Sequence, residues 1–156
     1  MFFCRLVLIV VFLLSGCLGW SHQAEEALDV NYQKAIARGI NAQKITVARI
    51  AQLSRVIRDY VKREGRTPND LLSLVTGETQ YVKAEYAEEL FLDGWGNRLF
   101  YHSTGGSFVL ASFGQDGKPD KEGRQKAGGW SSEFNFDADI VRIGNEWAQT
   151  PEGVPR

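Results

Sequence analysis

The sequence predicts an α+β domain in which a long N-terminal amphipathic helix packs on a small antiparallel sheet, followed by a long loop. Three observations carry this. The stretch "NAQKITVARIAQLSRVIRDYVKREG" repeats apolar residues at three- and four-residue spacing. Two short aromatic and β-branched runs, "NRLFYHS" and "SFVLASF", flank "TGG", the pattern of an antiparallel hairpin. The helix precedes the strands with no β-α-β alternation, which separates this chain from parallel-sheet folds.

In the helix, Ile45, Ala48, Leu53, Val56, Ile57, Tyr60 and Val61 form the apolar stripe, and Lys44, Arg49, Arg55, Arg58, Lys62 and Arg63 lie mostly on the other side. Such a basic stripe reads as a solvated face. Asn41 is the expected N-cap and Gly65 the left-handed terminator, with Lys62 and Arg63 suited to the negative end of the helix dipole. In "RTPNDLLSLVTG", Pro68 fixes an extended entry, and Asn69 or Asp70 starts a short helical turn that carries Leu71, Leu72 and Leu74 toward the core.

A length of 156 residues with 44% hydrophobic content suits one domain with appendages. Lys and Arg number 18 against 19 Asp and Glu, so the basic excess that nucleic-acid binding needs is missing. The 2 cysteines are Cys4 and Cys17, both near the N-terminus, and the 2 histidines are His22 and His102; a thiolate or poly-histidine zinc site is excluded, leaving oxygen ligands for any metal.

"MFFCRLVLIVVFLLSGC" has a secretory layout: Arg5, an apolar run from Leu6 to Leu14, small residues Ser15 and Gly16, then Cys17. The apolar run is too short to span a bilayer comfortably. "LSGC" resembles the bacterial lipobox, which implies a signal peptide over 1–16 and acylation of Cys17, the membrane being reached through that lipid. The alternatives are a plain secretory peptide and a short signal anchor. Residues 17–40 then form the lipidated N-terminus and a tether, with scattered apolar residues and room for a short helix from Gln23 to Arg38, and 41–156 the globular domain. Leu18 after the cysteine, by the familiar sorting pattern, directs a lipoprotein to the periplasmic face of the outer membrane.

No catalytic pattern emerges. His102 and Ser103 adjoin glycines, but no nucleophile elbow or phosphate-binding glycine loop accompanies them, so they read as a hairpin end. Glu85, Glu88, Glu89 and Asp93 read as the polar side of an amphipathic turn rather than an acid–base pair. Trp95 reads as core, and Trp130 in "AGGWSSEF" is a candidate contact for a glycan or small ligand.

"RVIRDYVKREGRTPNDLLSL", "LDGWGNRLFYH", "FVLASFGQDGKPD" and "DADI" resemble, in order and wording, the periplasmic domain of the major (G-type) pseudopilin of type II secretion systems. Tyr60, Gly65, Arg66 and Pro68 match its helix end and turn. Asp93, Trp95, Gly96 and Asn97 match its Asp-Pro-Trp-Gly-Asn signature, with Gly94 in place of proline. Gly114, Asp116 and Gly117 match its Gly-x-Asp-Gly loop, and Asp139 with Ile140 its closing pair. The resemblance spans roughly Ala42 to Ile140. It implies a non-catalytic interaction domain whose protein partners include secretion-system components.

It also implies a structural calcium site built from the carbonyl of Phe113, the carboxylate of Asp116, the carbonyl of Lys118 and the carboxylate of Asp139, the mixed oxygen set calcium prefers. Gly114 and Gly117 let the chain curl around such an ion, and Asp120 or Asp137 is placed to add an oxygen. The loop is no EF-hand, since Lys121 and Ala127 stand where the glycine and bidentate glutamate belong. The alternative is a charged turn in which Asp116 makes an Asx-turn. Two departures stand out: the insertion "PDKEGRQKAGGWSSEFNF" between Lys118 and Asp137, and Ala138 where some members carry a second carboxylate. At the N-terminus the lipobox-like stretch stands where pseudopilins carry a prepilin-peptidase site and an apolar helix of about 20 residues. The expectation is a pseudopilin-like domain mounted on a lipid anchor.

Overall fold

The computed structural model describes the backbone of residues 3–120 and 135–151, and the side chains of 29–120 and 135–151. Its elements in order are α1 (Phe3–Glu64), α2 (Ser73–Thr76), α3 (Ala84–Leu90), β1 (Phe100–Thr104), β2 (Ser107–Ser112), β3 (Ile140–Ile143) and β4 (Glu146–Gln149). The chain divides into two units, Met1–Arg38 and Gly39–Arg156. The first is helical from Phe3 onward and exposes Val30 and Tyr32. Among the described residues no helix is long and apolar enough to cross a membrane. The side chain of Cys17 and the whole of Trp130 lie outside the described residues.

In the second unit α1 continues from Gly39 to Glu64 and packs on the sheet. The expected N-cap at Asn41 is not one: α1 passes through it without a break. No proline interrupts the helix there, and its buried contacts start at Gly39 and Ala42, so the packing that sustains it begins upstream of Asn41. The predicted stripe is also rotated slightly. Ile50, Leu53 and Ile57 are fully buried and Tyr60 nearly so, whereas Ala48 is exposed. Two hydroxyls share the buried face. Thr46 Oγ1 donates to the Ala42 carbonyl and Ser54 Oγ to the Ile50 carbonyl, each at 2.8 Å, which satisfies both groups within the helix. The other end matches the expectation: Gly65 has φ 70° and its N–H returns to the Val61 carbonyl at 2.9 Å.

Asp70 starts the next turn, accepting the Ser73 N–H at 2.8 Å and the Ser73 hydroxyl at 2.7 Å, and these bonds hold its carboxyl below the usual range. Leu74 is driven into the core, while Leu72 stays largely exposed. The four strands form an antiparallel meander in the order β1-β2-β3-β4. Gly105 and Gly106, both at positive φ, make the first turn as "TGG" predicts. Leu110 of β2 and Ile140 of β3 join Ile50, Leu53, Ile57, Leu74, Leu90 and Leu99 in one core between helix and sheet.

Candidate functional site

The loop after β2 is shaped from below by Asp93. This residue is 1% exposed, and its Oδ1 accepts the backbone N–H of Trp95 at 2.9 Å and of Asn97 at 2.8 Å. Its Oδ2 accepts the Ser112 hydroxyl at 2.7 Å. Asp93 is therefore a buried staple between the Gly-Trp-Gly-Asn turn and the end of β2, not part of a polar helix face as the sequence reading placed it. The staple continues outward, because Asn97 Nδ2 donates to the Gly114 carbonyl at 3.0 Å and the Gly114 N–H donates to Ser112 Oγ at 3.3 Å.

From Gly114 the chain curls, with positive φ at Gly114 and Gly117. A Cβ at Gly114 would sit 2.5 Å from the Asp137 carbonyl, so the glycine permits the returning chain before β3 to press against this loop. The Gln115 N–H seals that contact by donating to the Phe136 carbonyl at 2.7 Å. Asp116 Oδ1 accepts the Lys118 N–H at 2.9 Å, an Asx-turn, and its side chain is exposed. Asp120 and Asp139 then cross-link the two arms. The Asp120 N–H donates to Asp139 Oδ2 at 3.0 Å and the Asp139 N–H donates to Asp120 Oδ2 at 3.3 Å.

Asp139 is 4% exposed, and its Oδ1 is buried without a hydrogen-bond partner. Burial pushes its carboxyl above the ordinary range, and the charges of Asp120 and Asp116 add to the effect, while the Asp120 N–H opposes it. The fold thus brings Asp116, Asp120 and Asp139 into one electrostatic neighbourhood, across the insertion. Asp137, the other carboxylate considered from the sequence, is exposed. Among the described residues no group of three or more His, Cys, Asp or Glu converges closely enough to hold a metal ion by side chains alone. The donor set expected here mixes carboxylates with the Phe113 and Lys118 carbonyls. A buried, unpartnered carboxylate oxygen beside two further acidic residues fits the demand of a hard cation for such a set.

The remaining sequence candidates separate. His102 and Ser103 point to opposite faces of β1: Ser103 Oγ hydrogen-bonds Thr67 Oγ1, whereas the His102 ring lies beside Phe100 at 6.4 Å between centroids. Glu89 pairs with Arg49, whose guanidinium also donates to the Leu92 and Asp93 carbonyls at 3.3 and 3.0 Å. Trp95 packs partly buried against the core. The role of Ser112 was missed by the sequence reading, and no local pattern marks it.

No curated protein and no solved structure matches the chain. The model of one family, described as type II secretion system (T2SS), protein G, matches residues 36–129. That span takes in the end of α1, the Asp93 turn, the hairpin and the Gly-Gln-Asp-Gly loop, and stops short of Asp139. Because the match covers more than half of the sequence, this chain belongs to the type II secretion system protein G family, with a role related to type II secretion at the cell envelope.

Proposed function

We propose that this protein is a non-catalytic, lipid-anchored envelope domain that serves type II secretion through protein–protein contacts, its loop after β2 steadied by a calcium ion. The carrying observation is Asp139, a buried carboxylate with one oxygen unpartnered and two acidic neighbours. Leaving such an oxygen without a donor costs about 1–3 kcal/mol or more, and a divalent cation offsets that cost. Asp139 and Asp116 would supply carboxylate oxygens and Phe113 and Lys118 carbonyl oxygens. Bound there, calcium neutralises the mutual repulsion of the acidic side chains and holds the two arms of the loop together.

The anchoring half of the reading rests on the lipobox-like "LSGC" and its acceptor Cys17. Incorporation of radiolabelled palmitate by the full chain, lost in Cys17→Ser, is the expected result, and fractionation with the outer membrane locates the product. Equal labelling of the two chains would remove the anchor. For the cation, calcium is expected to raise the melting temperature of the full chain above that in chelator, and Asp116→Ala to abolish the rise. A wild-type chain that melts at the same temperature with and without calcium would refute the site.

A further inference from the structure

An open cleft of about 340 Å³ lies between the turn that follows α1 and the chain around Phe91 and Leu99, and it shares no residue with the candidate cation loop. That volume is within the range of small-ligand sites. Its apolar lining comes from Leu71, Leu72, Phe91, Leu99 and Tyr101. All of these except Leu72 belong to the core or pack against it, so the walls are held from behind. Tyr101 is fixed further by its hydroxyl, which donates to the Pro68 carbonyl at 2.7 Å. Leu72 is different. Its sequence pattern sends it toward the core, yet it lines the cleft with 59% of its surface exposed, and a ligand seated there would remove that apolar surface from water.

Three polar side chains complete the lining: Asn69, Asp70 and Arg98. The Asp70 carboxylate is occupied by the Ser73 N–H and hydroxyl, and these bonds favour its charged form. Arg98 has no such engagement. Among the described residues it enters no ion pair, whereas Arg49 takes Glu89, Lys62 takes Asp59 and Lys83 takes Glu85. A guanidinium beside apolar walls offers a forked donor to a carboxylate. The charge of Asp70 repels that same group, so a ligand's carboxylate has one favourable place in the cleft and its apolar body another. The Asn69 amide, both donor and acceptor, suits a peptide unit. The end of a polypeptide answers all of these groups, whereas a fatty acid carries no amide for Asn69.

We infer that this cleft binds the C-terminal end of a partner protein, with a large apolar last side chain against Leu71, Leu72 and Phe91 and the terminal carboxylate on Arg98. It is a specific seat for protein–protein contact of the kind proposed for the domain, and it depends on neither calcium nor lipid. The test uses the full chain in phosphatidylcholine nanodiscs and fluorescein-labelled glycine-serine peptides ending in leucine or in phenylalanine, each made as the free C-terminal acid and as the amide. Saturable binding of a free acid is expected, and amidation weakens it about tenfold to a hundredfold. Arg98→Gln weakens the acid by a similar factor and leaves the amide unchanged, because both changes remove the same interaction. Leu72→Ser, at an exposed position, weakens both forms with its melting temperature matched to wild type.

Equal affinity for acid and amide, or no saturable binding of either free acid, would overturn the inference. So would an unchanged affinity in Arg98→Gln, or tighter binding of decanoate than of the peptides, which would make the cleft a site for a free fatty acid. Calcium-dependent melting reads the cation loop instead, so failure there and failure here are told apart.

Discussion

Asp120 and Asp139, 19 residues apart in the sequence, each donate a backbone N–H to the other's carboxylate, at 3.0 and 3.3 Å. This reciprocal clasp joins the start and the return of the loop, yet it gathers negative charge around the buried Oδ1 of Asp139. The domain therefore carries a locally unfavourable arrangement that a divalent cation would relieve. At calcium a hundredfold above its dissociation constant, stabilisation of about 2.7 kcal/mol is expected from mass action. Urea unfolding with calcium or chelator measures it, and Asp139→Asn is expected to erase the difference. Magnesium, which demands tighter octahedral geometry, is expected to stabilise less.

The Asp93 staple gives a sharper stability prediction. Asp93→Ala leaves the Ser112 hydroxyl and the Trp95 and Asn97 N–H groups without their acceptor, at a cost of about 3–5 kcal/mol. Ser112→Ala removes only one of those donors, and about 1–2 kcal/mol is expected. Chemical denaturation of the two variants should rank them in that order. Equal losses would mean that the carboxylate contributes no more than its bond to Ser112.

Gly94 stands where the resembled signature has proline, and the packing explains it. Its N–H donates to Thr46 Oγ1 at 2.8 Å, and a Cβ built there would lie 2.0 Å from the Ala42 carbonyl oxygen. The obstacle is helix backbone, which has little freedom to yield. Gly94→Ala is expected to cost about 3 kcal/mol, read as a lower denaturation midpoint. Thr46→Val, which keeps the shape but removes the acceptor, should cost about 1–3 kcal/mol.

Tyr101 makes the domain sensitive to alkali. Its hydroxyl donates to the Pro68 carbonyl at 2.7 Å, and burial pushes its pKa from 10.0 to about 12, with the charges of Asp70 and Tyr60 acting in the same direction. Between those values the unfolded chain loses a proton that the folded one keeps, so stability falls as pH rises from about 10 to about 12. Tyr101→Phe should flatten that part of the stability curve. Spectrophotometric titration of the folded chain should show a late-ionising component that Tyr101→Phe removes.

The local parts of the fold were legible because their signals are local. Gly65 ends α1 since only a residue tolerant of positive φ closes that cap, and "TGG" sets the first hairpin for a related reason. The second hairpin went unread, although "IVRI" and "EWAQ" flank Gly144 and Asn145, a pair suited to a tight turn. The β-bulge between Val141 and Arg142 also breaks the simple alternation in which such strands are read. In the candidate site, Asp116 and Asp139 were marked through the family resemblance, but Asp139's burial and its exchange with Asp120 depend on how the insertion's two ends meet.

The sequence alone determined the class of the fold, the face α1 presents within a small rotation, and the turns where glycine is required, because each depends on spacing over a few residues. Tertiary structure decided that α1 runs on through Asn41, that Asp93 is an internal staple, and that Asp120 and Asp139 clasp each other. The physical reason is common to all three. Burial and charge proximity are properties of segments far apart in the chain, and they exist only once helix and sheet have closed on one another.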